Sequence, residues 1–307
     1  MLLEALLFII GLGLLIKGAD LFVDGGGGLA SRYGVSPVTI GFTVIAFGTS
    51  LPEFVVSLNA VASGSPGIAL GNVVGSNIAN IALVLAICAI LRPGLFTWER
   101  TEKGGVRHET LLMLIATAIF MILALRGVID FFSGVAMLAA FGLILHWLWK
   151  NGGDNIEKIE SHGNMDWAYT VGGLIAVIIG SSLVLDSSVF LAEALNIPSF
   201  VIGLSMVAIG TSLPELATSL VAIKKGQTGL SAGNLLGSNI FNLLFVMGAA
   251  GLVGSVPVPS YTDVLVMGAF SLAVVPLFYA KERLTAAIAT LMIIAYAAYI
   301  LFLFGVL

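Results

Sequence analysis

The sequence is poor in almost everything a soluble enzyme uses. It holds one cysteine, Cys88, and three histidines in 307 residues, which excludes a disulfide framework or a Cys/His metal cluster and leaves redox chemistry little to work with. Charge is scarce too: 13 Lys+Arg and 17 Asp+Glu amount to 10% of the chain, against roughly 25% in a soluble domain. So few charges cannot coat a soluble particle of this size. The net charge of −4 offers no basic surface to nucleic acid. What remains is apolar: 59% of the residues are hydrophobic and the mean hydropathy is +1.09. The chain is therefore predicted to be an all-α integral membrane protein with the lipid bilayer as its main partner.

Crossing the hydrocarbon takes about 20 mostly apolar residues per helix. Ten segments qualify: 2–23, 36–62, 67–91, 110–125, 128–149, 169–194, 198–223, 230–253, 264–279 and 284–303. The first is read as a mature span, because Glu4 replaces the basic start of a signal peptide and no small-residue cleavage site follows. With ten spans, the loops after the odd-numbered ones hold twelve Lys and Arg, and the other side holds Arg126 alone. That bias puts those loops in the cytoplasm and both termini outside it, in a multi-pass cell-membrane protein. The hydrophilic stretches are 97–109 and 151–166, the latter with Asp154, Glu157, Lys158, Glu160 and His162. Both read as solvated tethers. The second divides the chain into a five-span unit at 1–149, a linker at 150–168 and a second five-span unit at 169–307.

The two units are copies. An offset of 162 residues lays Gly41–Glu53 on Gly203–Glu215, with Gly-Thr-Ser-Leu-Pro-Glu identical in both. It also lays Gly71–Asn80 on Gly233–Asn242 without a gap, and Gly11, Gly18 and Asp24 on Gly173, Gly180 and Asp186. Because five is odd, the second copy enters the membrane from the opposite side. Ten transmembrane helices as two inverted five-helix repeats is an architecture of secondary transporters, with binding at mid-membrane between interrupted helices. Channels are also built by duplication, so the chemistry has to decide.

Each copy places Pro and then Glu inside a long apolar span: Pro52–Glu53 and Pro214–Glu215. Proline lacks an N–H and clashes with the carbonyl four residues back, so the helix is predicted to loosen at Gly48 and Gly210 and free carbonyl oxygens there. An ionisable residue at the bilayer centre marks an ion path or relay. Two repeat-related carboxylates brought together repel unless a cation lies between them or one is protonated. Ala46, Thr49 and Ser50 share the face of Glu53, as Ala208, Thr211 and Ser212 share that of Glu215. In the third and eighth spans Asn72, Ser76, Asn80 and Asn234, Ser238, Asn242 recur every four residues as a polar stripe. Carboxylate, hydroxyl, amide and carbonyl oxygens suit Ca2+ and equally Na+, and the absence of Cys and His from both blocks argues against zinc or copper.

Blander assignments compete for several residues. Gly71, Gly75, Gly233 and Gly237 form Gly-x-x-x-Gly packing motifs. Asn77 and Asn239 lie off the polar stripe and read as links between helices. Ser and Thr in membrane helices usually bond their own backbone; duplication around a Glu is what raises Ser50 and Thr211 above that. Asp24 and Asp186 are expected near an interface in a structural role. Lys17 beside Asp20 reads as a snorkelling side chain, His146, Trp147 and Trp149 as an interfacial belt, and Cys88 as core filler.

The doubled Gly-Thr-Ser-Leu-Pro-Glu and Gly-Ser-Asn-Ile-x-Asn blocks resemble the α-repeats of the calcium/cation antiporter superfamily, in particular the sodium/calcium exchangers of prokaryotic type. The resemblance covers 10–92 and 172–255. It implies alternating access in which one chamber binds Ca2+ or several Na+, both as cargo, with no resident cofactor and no enzymatic step. It implies that the Glu53 and Glu215 carboxylates and the Thr49 and Thr211 carbonyls bind Ca2+. Sodium would use the same Glu residues with Ser50, Ser212, Ser76, Ser238, the Thr hydroxyls and the Ala46 and Ala208 carbonyls, and Asn80 and Asn242 would complete the chamber. The first and sixth spans would slide across the other eight. Some members, the potassium-dependent exchangers among them, carry Asp where this chain has Asn242, which weakens a potassium-dependent reading. Two carboxylates then match one Ca2+ or two Na+, and a third Na+ would leave the chamber positive. H+/Ca2+ exchange through the same Glu pair stays open, as does a gated cation channel. An intramembrane hydrolase is remote, because no His is placed to activate the serines.

Overall fold

The computed structural model describes residues 2–93, 106–151, 161–194, 208–279 and 282–303. The polar stretch at 97–105, the linker at 152–160 and the start of the seventh predicted span, 198–207, lie outside the described residues. In order, the helices are α1 (Leu2–Tyr33), α2 (Pro37–Thr49), α3 (Leu51–Ala62), α4 (Pro66–Leu91), α5 (Val106–Ala124), α6 (Phe131–Asn151), α7 (Met165–Ala194), α8 (Ala208–Thr211), α9 (Leu213–Lys224), α10 (Thr228–Val253), α11 (Thr262–Tyr279) and α12 (Glu282–Leu303). Among the described residues six helices are long and apolar enough to cross a membrane, and the bent pair α2 and α3, at 46° to each other, makes a seventh. Large apolar side chains face outward along these and the shorter apolar helices α5 and α11, among them Leu6, Ile122, Leu143, Leu272 and Leu291, as expected of a protein whose solvent is hydrocarbon.

α1 runs ten residues beyond the predicted end at 23. The run Gly25–Gly28, just past that end, is helical and buried, and the missing side chains of Gly25 and Gly28 let α7 come close. A Cβ on Gly25 would strike the Thr170 backbone, and one on Gly28 would strike the Asp166 carboxylate. Further along, a Cβ on Gly18 would stand 2.7 Å from Val177 N, and one on Gly180 would stand 2.5 Å from Leu15 N. Gly11 with Gly180 and Gly18 with Gly173 thus form two close crossings of antiparallel helices, each built from one glycine of either repeat. The Asp166 carboxylate, fully buried at the start of α7, accepts from the Ser161 hydroxyl at 2.6 Å and His162 N at 2.9 Å.

The other helices share one large apolar core, to which α1 and α7 contribute no residue among those described. Phe22, Val23 and Ala30 of α1 instead meet Ile40, Ile45, Ala222 and Leu230 in a small cluster, and Leu15 and Ala19 meet Val177 in another. α1 and α7 therefore pack as a pair laid against the rest. Cys88 is fully buried in the main core, as expected of a filler.

The fifth predicted span begins late. Val128 and Ile129 pair antiparallel with Pro257 and Val256 as a two-residue ribbon joining two loops, and α6 starts at Phe131. Asp130 caps it: its Oδ1 accepts from Ser133 N at 2.9 Å and from the Ser133 hydroxyl at 2.8 Å, while Arg126 donates to Oδ2 at 2.9 Å. The Ser133 hydrogen bonds and the Arg126 guanidinium hold this exposed carboxyl down at about 2.

Candidate cation site

Both broken helices bend at the serine. Ser50 has φ −89° and ψ 7°, and Ser212 has φ −88° and ψ 4°, outside the helical well in both copies. The bend was expected at Gly48 and Gly210, two residues earlier. Its position follows from the proline: Pro52 and Pro214 sit in the first turn of α3 and α9, where a missing N–H removes no helical bond, so the proline starts a new helix. The glycines have another use. A Cβ on Gly48 would stand 2.9 Å from Phe22 Cζ and Leu174 Cδ1, and one on Gly210 would stand 2.5 Å from Leu185 Cδ1, so they seat the α1–α7 pair against the bends. Glu53 and Glu215 each fall in the first turn of the restarted helix, the end whose free N–H groups attract negative charge.

From these bends the two halves reach across to each other. Ser50 Oγ donates to Glu215 Oε1 at 3.2 Å. Thr49 Oγ1 donates to Asn234 Oδ1 at 3.0 Å and lies 3.3 Å from Ser238 Oγ. Ser76 Oγ lies 3.5 Å from Thr211 Oγ1. Each half thus supplies partners to the other, as expected of an inverted duplication. Away from the site, Thr43, Thr117, Thr170 and Ser271 donate to the carbonyl four residues back on their own helix, whereas Thr49 lies 3.4 Å from Ala46 O and closer to its partner in the other half.

Burial is complete. Glu53, Glu215, Thr49, Ser50, Ser238, Asn80, Asn242 and Ala46 have no exposed surface, and Ser76 and Ser212 have 2%; Thr211 is half-buried and Ala208 contributes backbone in α8. Asn80 opens a π-helical segment at Asn80–Leu85, and Asn242 lies second in another at Phe241–Val246; such segments occur frequently at functional sites. Among the described residues both Glu53 carboxylate oxygens, Glu215 Oε2, Ser212 Oγ and both amide atoms of Asn80 and Asn242 have no hydrogen-bond partner. Buried polar atoms are nearly always satisfied. A set of buried oxygens carried on two carboxylates is satisfied by a hard cation.

The competing assignments separate cleanly. Asn77 and Asn239 donate to their own helices, to Val73 O and Leu235 O at 2.7 Å in each case, so they stabilise backbone instead of joining helices. Gly233 and Gly237 are packing glycines: a Cβ on either would strike the Val38–Ala46 segment. At Gly71 and Gly75 no described atom lies within 4 Å of such a Cβ. A cavity of about 570 Å3 borders these two glycines together with Asn72, Ser76 and Thr211. Asp24, expected past the end of its helix, lies within α1 and shares Lys225 with Asp20: Lys225 Nζ is 2.7 Å from a carboxylate oxygen of each and donates to Asp20 O at 3.1 Å. Its repeat counterpart Asp186 is exposed on α7.

Two residues escaped the sequence reading. Ser57 and Ser219 accept from Asn72 Nδ2 at 2.9 Å and from Asn234 Nδ2 at 3.0 Å. The signal was available, because they stand 162 residues apart like everything else in the site. The motif blocks end at the Glu, one turn short of them.

The apolar helices and outward-facing side chains are those of a multi-pass membrane protein, and the comparisons give its class, a cation exchanger. The sequence model of the sodium/calcium exchanger protein family matches residues 3–150 and 165–305, and the chain belongs to that family. It is 31% identical over 292 residues to the sodium/calcium exchanger MaX1 of Methanosarcina acetivorans, covering 80% of this chain and 82% of that one. It is 40% identical over 255 residues to the uncharacterized membrane protein MJ0091 of Methanocaldococcus jannaschii, covering 81% and 80%. A solved structure of the sodium-calcium exchanger NCX_Mj, soaked with Na+ and Ca2+, superposes with a TM-score of 0.84 at 33% identity over 97% of this chain and 98% of that one.

Proposed function

We propose that the protein is a secondary active antiporter that exchanges Ca2+ for Na+ by alternating access. The observation that carries this is the pair of fully buried, repeat-related carboxylates, each on a freshly restarted helix and ringed by hydroxyl and amide oxygens. In this reading Ca2+ is held by the Glu53 and Glu215 carboxylates and the Thr49 and Thr211 carbonyls. Na+ uses the same carboxylates with Ser50, Ser212, Ser76, Ser238, the Thr hydroxyls and the Ala46 and Ala208 carbonyls, and Asn80 and Asn242 complete the chamber. Both cations need the same oxygens, so loading one empties the other. A charge of −2 matches one Ca2+ or two Na+. The carrier crosses when that charge is met and stalls when two bare carboxylates face apolar surroundings.

In this reading the chamber lies at mid-membrane within ten spans in two inverted units, 1–149 and 169–307, joined through the cytoplasmic linker 150–168 with both termini on the non-cytoplasmic side. The antiparallel α1–α7 pair, excluded from the main core, is the body that slides. The same carboxylates admit a second reading: Glu53 has no hydrogen-bond donor to either oxygen among the described residues, and a proton would remove its buried charge as a cation would balance it, which would make the exchange H+/Ca2+.

Radioactive Ca2+ uptake into proteoliposomes separates the two. Uptake that requires internal Na+, absent from K+-loaded vesicles and from vesicles with only a pH gradient, is expected. Uptake driven by the pH gradient alone would keep the Glu pair and replace Na+ by H+ as the counter-ion. Current without any counter-ion would refute antiport.

A further inference from the structure

Asn72 and Asn234 carry the same two donor bonds. Asn72 Nδ2 reaches Glu53 O at 3.1 Å and Ser57 Oγ at 2.9 Å, and Asn234 Nδ2 reaches Glu215 O at 3.4 Å and Ser219 Oγ at 3.0 Å. Each amide thus ties the polar stripe of one helix to the backbone of the Glu on its neighbour, one turn away from Ser76 or Ser238. The acceptor ends of the two amides differ. Asn234 Oδ1 accepts from Thr49 at 3.0 Å, whereas among the described residues no such bond joins Thr211 to Asn72 Oδ1, although the neighbouring serine contacts match on the two sides, Thr49–Ser238 at 3.3 Å and Thr211–Ser76 at 3.5 Å. In a duplicated protein a contact made on one side and open on the other marks where the two halves stand in different states.

We propose that Asn72 and Asn234 are a repeat-related pair of positioning residues. Their Nδ2 atoms fix the two Glu, and their Oδ1 atoms alternately hold the threonine at the bend of the facing half. Thr49–Asn234 is closed in the state described here, and Thr211–Asn72 closes in the opposite one. The two roles act on different quantities. Losing the donor arm displaces a Glu and weakens Ca2+ binding in both states equally. Losing the acceptor arm destabilises one state alone, by roughly one hydrogen bond, or about fivefold in the equilibrium between states. For a carrier with two states of similar intrinsic affinity, the ratio of the apparent Ca2+ constants at the two faces follows that equilibrium. The inference rests on the exchange reading above.

The test is Na+-dependent Ca2+ flux in oriented proteoliposomes, with half-saturating Ca2+ measured at each face. Asn234→Ala and Asn72→Ala are expected to change the ratio of the two constants about fivefold in opposite directions. Ser219→Ala, which removes only a donor-arm partner, is expected to weaken both constants and leave the ratio alone. Thr49→Val keeps the volume and the backbone carbonyl and, with both constants read at one saturating Na+ concentration because its hydroxyl also belongs to the Na+ set, is expected to move the ratio in the Asn234→Ala direction; it serves if the alanine variant does not assemble. An unmoved ratio, a shift in the same direction for both asparagines, or an equal shift in Ser219→Ala would overturn the proposal. Wild-type vesicles keep the two claims apart: no exchange there refutes the function and this inference with it, while exchange with an unmoved ratio refutes this inference alone.

Discussion

Two adjacent glycines of α7 give a sharp test of how the α1–α7 pair is held. A Cβ on Gly173 would strike the backbone of Phe22 and stand 2.8 Å from Gly18 O, whereas one on Gly172 meets no described atom within 4 Å. Replacing either by Ala gains about 1 kcal/mol of helix propensity. At Gly173 that gain is opposed by overpacking, which costs about 1–3 kcal/mol where side chains can shift and lies at the upper end here because the obstacles are backbone atoms. The two variants should therefore differ by about 3 kcal/mol, Gly172→Ala above wild type and Gly173→Ala below it. At roughly 2–4 °C per kcal/mol, that separates their Tm values by roughly 6–12 °C, read as thermal unfolding of the detergent-purified protein by tryptophan fluorescence. Equal Tm values, or Gly173→Ala the more stable, would refute the close crossing.

Glu53→Gln and Glu215→Gln keep side-chain size and remove charge. Each should abolish Ca2+ flux in vesicles while the protein remains monodisperse in detergent, and near-normal flux in either would sink the site. Asn242→Asp adds a third carboxylate to a fully buried amide position and should alter the Na+ or H+ dependence of exchange without abolishing it; unchanged cation dependence would count against Asn242 lining the chamber. Lys225→Met removes two ion pairs whose partners are each about a third exposed, so the loss is expected at about 1–2 kcal/mol. The Tm difference from wild type should shrink in high salt, and a salt-independent difference would argue that packing of the lysine stem is responsible.

The site was more legible than the packing around it. Glu53, Ser50, Thr49 and their counterparts stood out because the same residues recur 162 positions on, and duplication of a polar motif in an apolar span has few causes besides shared chemistry. Which neighbour each residue touches was not legible. The first span was expected to end at 23, since a sequence does not show that the bare faces of Gly25 and Gly28 meet Thr170 and Asp166. The bend fell at Ser50 instead of Gly48 because a proline placed to interrupt a helix also serves to begin one. The π-helical turns at Asn80 and Asn242 leave no periodic trace, being shifts of one residue in the hydrogen-bond ladder.

The Lys225–Asp20–Asp24 cluster carries a consequence of another kind. By the repeat offset Lys225 answers to Ser63 and Asp20 to Ser182, so this cluster, which joins a lysine of the second repeat to two aspartates of the first, has no ion-paired twin. Two identical halves would make a machine indifferent to direction, with forward and reverse half-cycles equally easy. In a carrier whose α1–α7 pair slides as proposed above, an ion pair made in one arrangement and without a counterpart in the other would remove that indifference. It would give a near-palindrome a preferred resting place, a kinetic bias laid over a thermodynamically reversible exchange.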